Sequence, residues 1–239
     1  GEAYGMHEAA VFNTRREIFK DIRVREALTL AYNFEWANRV FWHSSMDRNN
    51  SYFMRSGLQA SGLPSEAELA LLEPFRDHLP PRVFTDPVEL PRNKAEGRNR
   101  DTLLKADALL REAGWVVRDF KRVHEDTGEP LTFEFLVSYV DYERMLTPYV
   151  DNLRRLGIET VLRKVENNIM VNRMRTYDYD MTMRKFYTYA IPYPARLRGQ
   201  FTSQYAPLPN MTNYAGIENP VVDVLVEAVA QARTRDQMN

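Results

Sequence analysis

Between Asp101 and Phe186 the hydrophobic residues switch repeatedly between a helical and a strand period, and that alternation restricts the chain to few folds. Leu103, Ala106, Leu110 and Ala113 mark one face of a helix, with Gly114 placed for the left-handed residue that ends it. Leu131, Phe133, Phe135 and Val137 then alternate with polar or smaller residues, which predicts a strand with one face in the core. Leu146, Tyr149, Val150 and Leu153 return to the helical spacing, with Pro148 expected in the first turn, Thr147 as its cap and Gly157 as its stop. Strands are predicted over 158–165 and 179–186, with a helix from about Asn168 to Tyr177 between them. No fixed repeat appears. The pattern is βαβ-like, and it implies an α/β lobe with helices packed on a sheet.

The first hundred residues read less regularly. Ala10 to Asn13 is a short apolar run. Asp21 caps a helix carrying Val24, Ala27, Leu28 and Ala31, and Asn33 can cap a second with Trp36, Ala37, Val40 and Phe41. Residues 43–62 are polar and glycine-containing, the signature of a long surface connection. Ser65 and Glu68 form a capping box. Pro74 interrupts the helix that follows and Pro80–Pro81 ends it. Residues 82–100, with Pro87 and Pro91, are the candidate internal loop of a single lobe spanning 1–239. A last helix is predicted from Asn219–Pro220.

Composition excludes several roles. The chain has 32 Lys plus Arg against 33 Asp plus Glu, a net charge of −1, so it lacks the electrostatic footprint of a nucleic-acid or anionic-membrane binder. Cysteine is absent, which removes thiol catalysis and cysteine zinc sites and suits an oxidising compartment. No apolar run approaches the roughly 18 residues of a membrane span, and Gly1 to Ala10 lack the pattern of a signal peptide.

Candidate chemistry is sparse. His7, His43, His78 and His124 have no metal-type spacing and read as surface or loop residues, so no metal and no cofactor is expected. Asp178 and Asp180 could in principle form an acid/base pair, but solvated aspartates at a strand entry explain them more simply. The aromatic run Phe186-Tyr187-Thr188-Tyr189, followed by Ile191-Pro192-Tyr193-Pro194, whose two prolines are expected to stop regular structure, leaves the end of a predicted strand, where α/β sheets place ligands. These rings either plug a core or wall a binding cleft, and the residues alone leave both open. Arg173, Arg175, Arg184 and Lys185 beside them could instead serve single-stranded nucleic acid, a reading the charge balance disfavours.

A resemblance bears on that choice. Phe12-Asn13-Thr14-Arg15-Arg16 and Asp21-Ile22-Arg23-Val24-Arg25-Glu26-Ala27-Leu28 resemble the "FNT…D.RVREAL" signature of family 5 extracellular solute-binding proteins, the oligopeptide, dipeptide and nickel receptors of ABC importers. Leu109 to Trp115 resembles the "LLKEAGW" helix end, Leu153 to Ile158 the "LKKLGI" segment and Tyr179-Asp180-Met181 the "YDM" strand. Asn213, Gly216, Asn219-Pro220 and Asp223 resemble the closing "N..G..NP..D" pattern. Ala31 to Trp36, and Ala60 to Ser65 through Leu72-Glu73-Pro74, look like the Yej-type branch, associated with oligopeptides and the peptide-nucleotide microcin C.

The resemblance implies an α/β fold: one lobe, the second, of a two-lobed periplasmic binding protein of type II, with a mixed sheet flanked by helices. It implies a monomeric, non-enzymatic receptor in the periplasm. Its partners would be a peptide or peptide-like ligand and an ABC permease of the inner membrane. Arg184 and Tyr187 match a basic and an aromatic ligand-contacting position, Phe186 and Tyr189 would share that cleft wall, and Arg175 is a weaker match. Where peptide receptors carry an aspartate for the ligand's ammonium, this chain has Thr188-Tyr189-Ala190, which favours a modified peptide. The alternatives are a receptor or sensor for a nickel chelate or sugar and, further off, a hydrolase using Asp178 and Asp180.

Overall fold

A computed structural model describes residues 3–87, 89–93, 99–189 and 193–232. Among the described residues there are six strands: β1 (Ala3–Phe12), β2 (Trp115–Arg118), β3 (Lys121–His124), β4 (Thr132–Val137), β5 (Glu159–Lys164) and β6 (Met181–Tyr189). The helices are α1 (Ile22–Leu30), α2 (Phe34–Trp42), α3 (Glu66–Leu72), α4 (Arg82–Thr85), α5 (Arg100–Glu112), α6 (Val140–Arg155), α7 (Asn167–Arg175), α8 (Pro194–Phe201) and α9 (Pro220–Gln231). Short 3-10 turns lie at Glu17–Phe19, Glu73–His78 and Ser203–Tyr205. The chain divides into two compact units. One comprises Gly1–Ala9, Asn49–Leu90 and Lys185–Asn239, the other Ala10–Arg48 and Pro91–Arg184.

The main sheet has the order β1-β6-β4-β5. β4 is parallel to both β5 and β6, the arrangement that helical crossovers α6 and α7 produce. Along β1 and β6 the partners run in opposite senses: the Asn13 amide donates to the Asp180 carbonyl at 2.9 Å, Glu8 pairs with Lys185, and His7 stacks on Phe186. The sheet is therefore mixed. β2 and β3 form a separate antiparallel hairpin, with Trp115 opposite His124 and Arg118 opposite Lys121.

In the second unit the core collects Phe19, Val24, Leu28 and Leu110 from one side and Phe133, Phe135, Leu146, Leu153 and Ile158 from another. Each fully buried side chain of this size stabilises the fold by about 1.5–3 kcal/mol relative to exposure. Leu136 is also fully buried, so β4 is covered on both faces rather than the one its alternation predicts. A strand with neighbours on either side and helices above and below requires this.

Local signals place most helix ends. The Asp21 carboxylate accepts from Arg23 N, Asn33 from Trp36 N and Asn219 from Val221 N, and the Ser65–Glu68 box is complete. Two expectations about proline fail. α6 begins at Val140, eight residues earlier than the spacing predicted, and Pro148 lies inside it; the missing N–H costs one bond but the apolar face on both sides of it holds the helix. Pro194 does not stop structure but opens α8, where a first-turn proline loses nothing. Residues 43–62 contain no buried residue, as a surface connection should, and Tyr52 within them packs edge to face on Phe201 at 4.8 Å.

Candidate functional site

β4 pairs with β6 only at Phe135–Met181 and Leu136–Thr182. The remainder of β6 runs on past the end of its parallel neighbour. Side chains there alternate, so Phe186 and Tyr187 take opposite faces. Phe186 is half-buried in the first unit, its ring stacked on His7 (centroids 5.5 Å apart, 19° between planes) and edge-on to Tyr52 at 6.2 Å. Tyr52 is itself fixed: its ring meets Phe201 edge to face at 4.8 Å and its hydroxyl bonds to the Gln200 side chain. Tyr187 is 40 % exposed, with the Arg196 guanidinium 6.0 Å from its ring centroid, at the outer reach of a cation–π contact.

Phe186 thus fills a small aromatic core, while Tyr187 presents its ring to solvent. Arg184 is half-buried and closes the second unit's share of β6. Arg175 is exposed at the last turn of α7, where a cation complements the helix C-terminus. The Tyr189 side chain and residues 190–192 lie outside the described residues.

Sequence reading missed His7 and Tyr52. His7 is not a loop residue: it sits in β1, and its burial pushes the imidazole pKa below its ordinary value. His124 likewise lies in a strand, edge-on to Trp115 at 5.2 Å. The one available signal for His7 was its place at the start of an alternating run, which a single histidine does not make conspicuous.

The two aspartates serve structure. Asp180 Oδ2 accepts from the Glu134 amide at 2.8 Å and Oδ1 lies 3.0 Å from Arg16 Nε; Asp178 lies 3.4 Å from Arg16 and 3.1 Å from Arg173 Nε. Arg173 also reaches Glu134 at 2.7 Å. Both carboxylates are held by guanidinium groups, an arrangement suited to closing a sheet edge and not to moving a proton. Among the described residues no cluster of three metal-ligating side chains occurs, and no helix is long and apolar enough to cross a membrane.

Comparison with known proteins bears on the strand and its aromatic end. Residues 1–207 match the family model for bacterial extracellular solute-binding proteins, family 5, middle part. The chain belongs to that family. Family 5 relatives include a YejA protein of Escherichia coli (strain K12), 42 % identical over 223 residues, which cover 93 % of this chain and 36 % of that protein. The "Probable peptide-binding protein YejA" of Agrobacterium fabrum is 38 % identical over 234 residues, 98 % of this chain and 38 % of its own length. The chain therefore spans well under half of the relatives it matches. Among solved structures, the oligopeptide-binding protein AppA of Bacillus subtilis, in complex with a nonapeptide, superposes with a TM-score of 0.72 at 19 % identity, over 99 % of this chain and 41 % of AppA. NikZ of Campylobacter jejuni, in complex with Ni(L-His), gives 0.72 at 15 % identity over 98 % of this chain and 40 % of NikZ. At that identity the likeness speaks for the fold, a mixed α/β sheet flanked by helices.

Proposed function

We propose that this chain is part of a periplasmic receptor that binds peptides or peptide-like solutes and hands them to an ABC permease, acting without catalysis or cofactor. In this reading residues 1–239 belong to one lobe of a two-lobed, monomeric binding protein. The observation that supports it is the extension of β6 past its short parallel pairing with β4. An extended peptide recognises a strand by main-chain pairing and then places alternate side chains against the strand's neighbours. Tyr187, exposed on that strand, offers a wide ring at small entropic cost. Arg184 supplies a cation for a ligand carboxylate, with Phe186 holding the strand's opposite face and Tyr189 one step further along. Arg175 is the outlying member of the set. The near-neutral charge supports a protein that does not handle nucleic acid, and the relatives named above for peptide binding support the ligand class.

Calorimetric titration of the full-length receptor with tri- to pentapeptides tests this. Tyr187→Ala and Arg184→Ala are each expected to weaken binding about tenfold or more, roughly 1.4 kcal/mol or above. Unchanged affinity in both variants removes β6 from the binding surface, and no response to any peptide removes the ligand class.

A further inference from the structure

His7, Tyr52 and Phe186 form one aromatic stack in the first unit, and the histidine is the member that can take up a proton near neutral pH. Its ring lies nearly parallel to Phe186, with centroids 5.5 Å apart, and meets Tyr52 edge-on at 5.8 Å. Tyr52 is anchored in turn, by its hydroxyl to the buried Gln200 side chain and by its ring to Phe201. Among the described residues no hydrogen bond or ion pair holds the imidazole itself. A neutral ring tolerates that, because its flat face packs on another. An imidazolium does not: two N–H donors and a full charge then need water or an anion, which aromatic rings do not supply. Attraction to the Phe186 face offsets part of this, yet burial still holds the pKa below its ordinary value.

The neighbouring charges do not rescue the cation. Glu8, next along β1, takes the other face and is paired with Lys185 at 3.1 Å. On β6, Arg184 shares the Phe186 face by alternation and opposes a second positive charge. On α8, Arg196 attends Tyr187, and Arg198 is paired with Glu227 at 2.6 Å. In the segment of Tyr52, Asp47 and Arg55 are exposed and Arg48 is bound to the Pro91 carbonyl.

Phe186 and Tyr187 are consecutive and take opposite faces of β6. They share a peptide unit, so whatever seats Phe186 also sets where Tyr187 points. We propose that His7 is a pH-sensitive positioning residue for β6: neutral, it seats Phe186 and holds Tyr187 in place; protonated, it leaves the stack and lets Tyr187 shift. For its ligand the proposal rests on the peptide reading given above. A peptide that needs Tyr187 in place favours neutral His7, and by reciprocity lowers the histidine's pKa further. Affinity is then full above the pKa of the free protein, falls as the pH drops through it, and levels off below that of the complex.

Proton–nitrogen NMR of the whole chain between about pH 7.5 and 5 tests the switch without a peptide. The Tyr187 amide, assigned through Tyr187→Phe, is expected to titrate with the midpoint of the His7 ring and to cease doing so in His7→Phe and in His7→Gln. The amide of Leu136, buried in the other unit, should stay fixed, which separates the switch from unfolding. A Tyr187 amide that does not titrate, or titrates as before in both variants, overturns the proposal. Calorimetry of the full-length receptor with N-acetyl-trialanine, which has no group of its own titrating in this range, tests the consequence. Binding should be at least about threefold tighter at about pH 7.5 than at about pH 5.5, and that ratio should fall to about one in His7→Phe. A ratio that survives the substitution overturns the proposal. Absence of any binding counts against the peptide reading alone, and the NMR titration still decides the switch.

Discussion

The Asn13 side-chain amide donates to the backbone oxygens of Tyr177, at 3.0 Å, and Tyr179, at 2.8 Å. Asn13 is 1 % exposed, and its amide is what joins the first family motif to the strand motif more than a hundred and sixty residues later. Asn13→Ala strips two carbonyls of a buried donor and is expected to lower stability by about 2–4 kcal/mol in urea unfolding. Asn13→Asp should be worse, because it points an acceptor at two acceptors. An aspartate variant as stable as the parent would mean that this bond is dispensable.

Arg122 is 1 % exposed, with Nη2 2.5 Å from Asp107 Oδ1, Nε on the Leu156 carbonyl and Nη1 on that of Trp115. Asp107→Ala leaves a buried guanidinium without its counter-charge, at an expected cost of about 3 kcal/mol. Burial alone would raise the Asp107 carboxyl, but hydrogen bonds from Arg122 and then Arg111 outweigh it and hold the pKa below the usual range. A depressed folded-state pKa means that this stabilisation is complete above the unfolded value of about 3.9 and is lost as the pH falls through the lower, folded one. Asp107→Asn should flatten the acid limb of stability against pH; an unchanged limb would assign it to other carboxylates.

His7 works in the opposite sense. Burial disfavours its charged form, so below the ordinary value of about 6.5 the unfolded chain takes up a proton that the folded chain resists. Stability should therefore fall as the pH drops from 7 through that value and level off below the folded pKa. His7→Phe keeps a ring against Phe186 and should remove this dependence in thermal unfolding followed from about pH 7 to 5. A variant that retains the slope would contradict the assignment.

Gly157 has φ of +80°, and a Cβ there would lie 2.9 Å from Arg122 N. Gly157→Ala combines a disfavoured backbone with a clash against a strand, and is expected to cost more than about 1 kcal/mol in chemical denaturation. Gly114, also at a helix end with φ of +83°, would place its Cβ 3.3 Å from the Glu125 side chain, which can move. The same substitution there should cost less, and the reverse order would mean that the two sites are misjudged.

These residues also show what sequence can convey. Asp21, Asn33 and Ser65 were legible as caps because a cap is settled within four residues. β4 was legible from its apolar alternation, although burial of its second face depends on neighbours the strand itself does not encode. The β2–β3 hairpin escaped notice because its turn is Asp119–Phe120, both at positive φ, where Asn–Gly is the usual signal. The start of α6 is hidden because a proline favours the first turn of a helix, and Pro148 instead lies in the interior. For the candidate surface, the aromatic run at Phe186 stood out on its own, whereas its companions His7 and Tyr52 come from distant segments and are brought to it only by folding.

Pro148 has one more effect. Having no amide hydrogen, it leaves the Arg144 carbonyl without the rung that every regular turn supplies. Pro148 also lines a cavity beside Tyr149. A rod bends most readily where a rung is missing, so α6 carries its most compliant joint where Pro148 lines the hollow, away from the strands of the sheet.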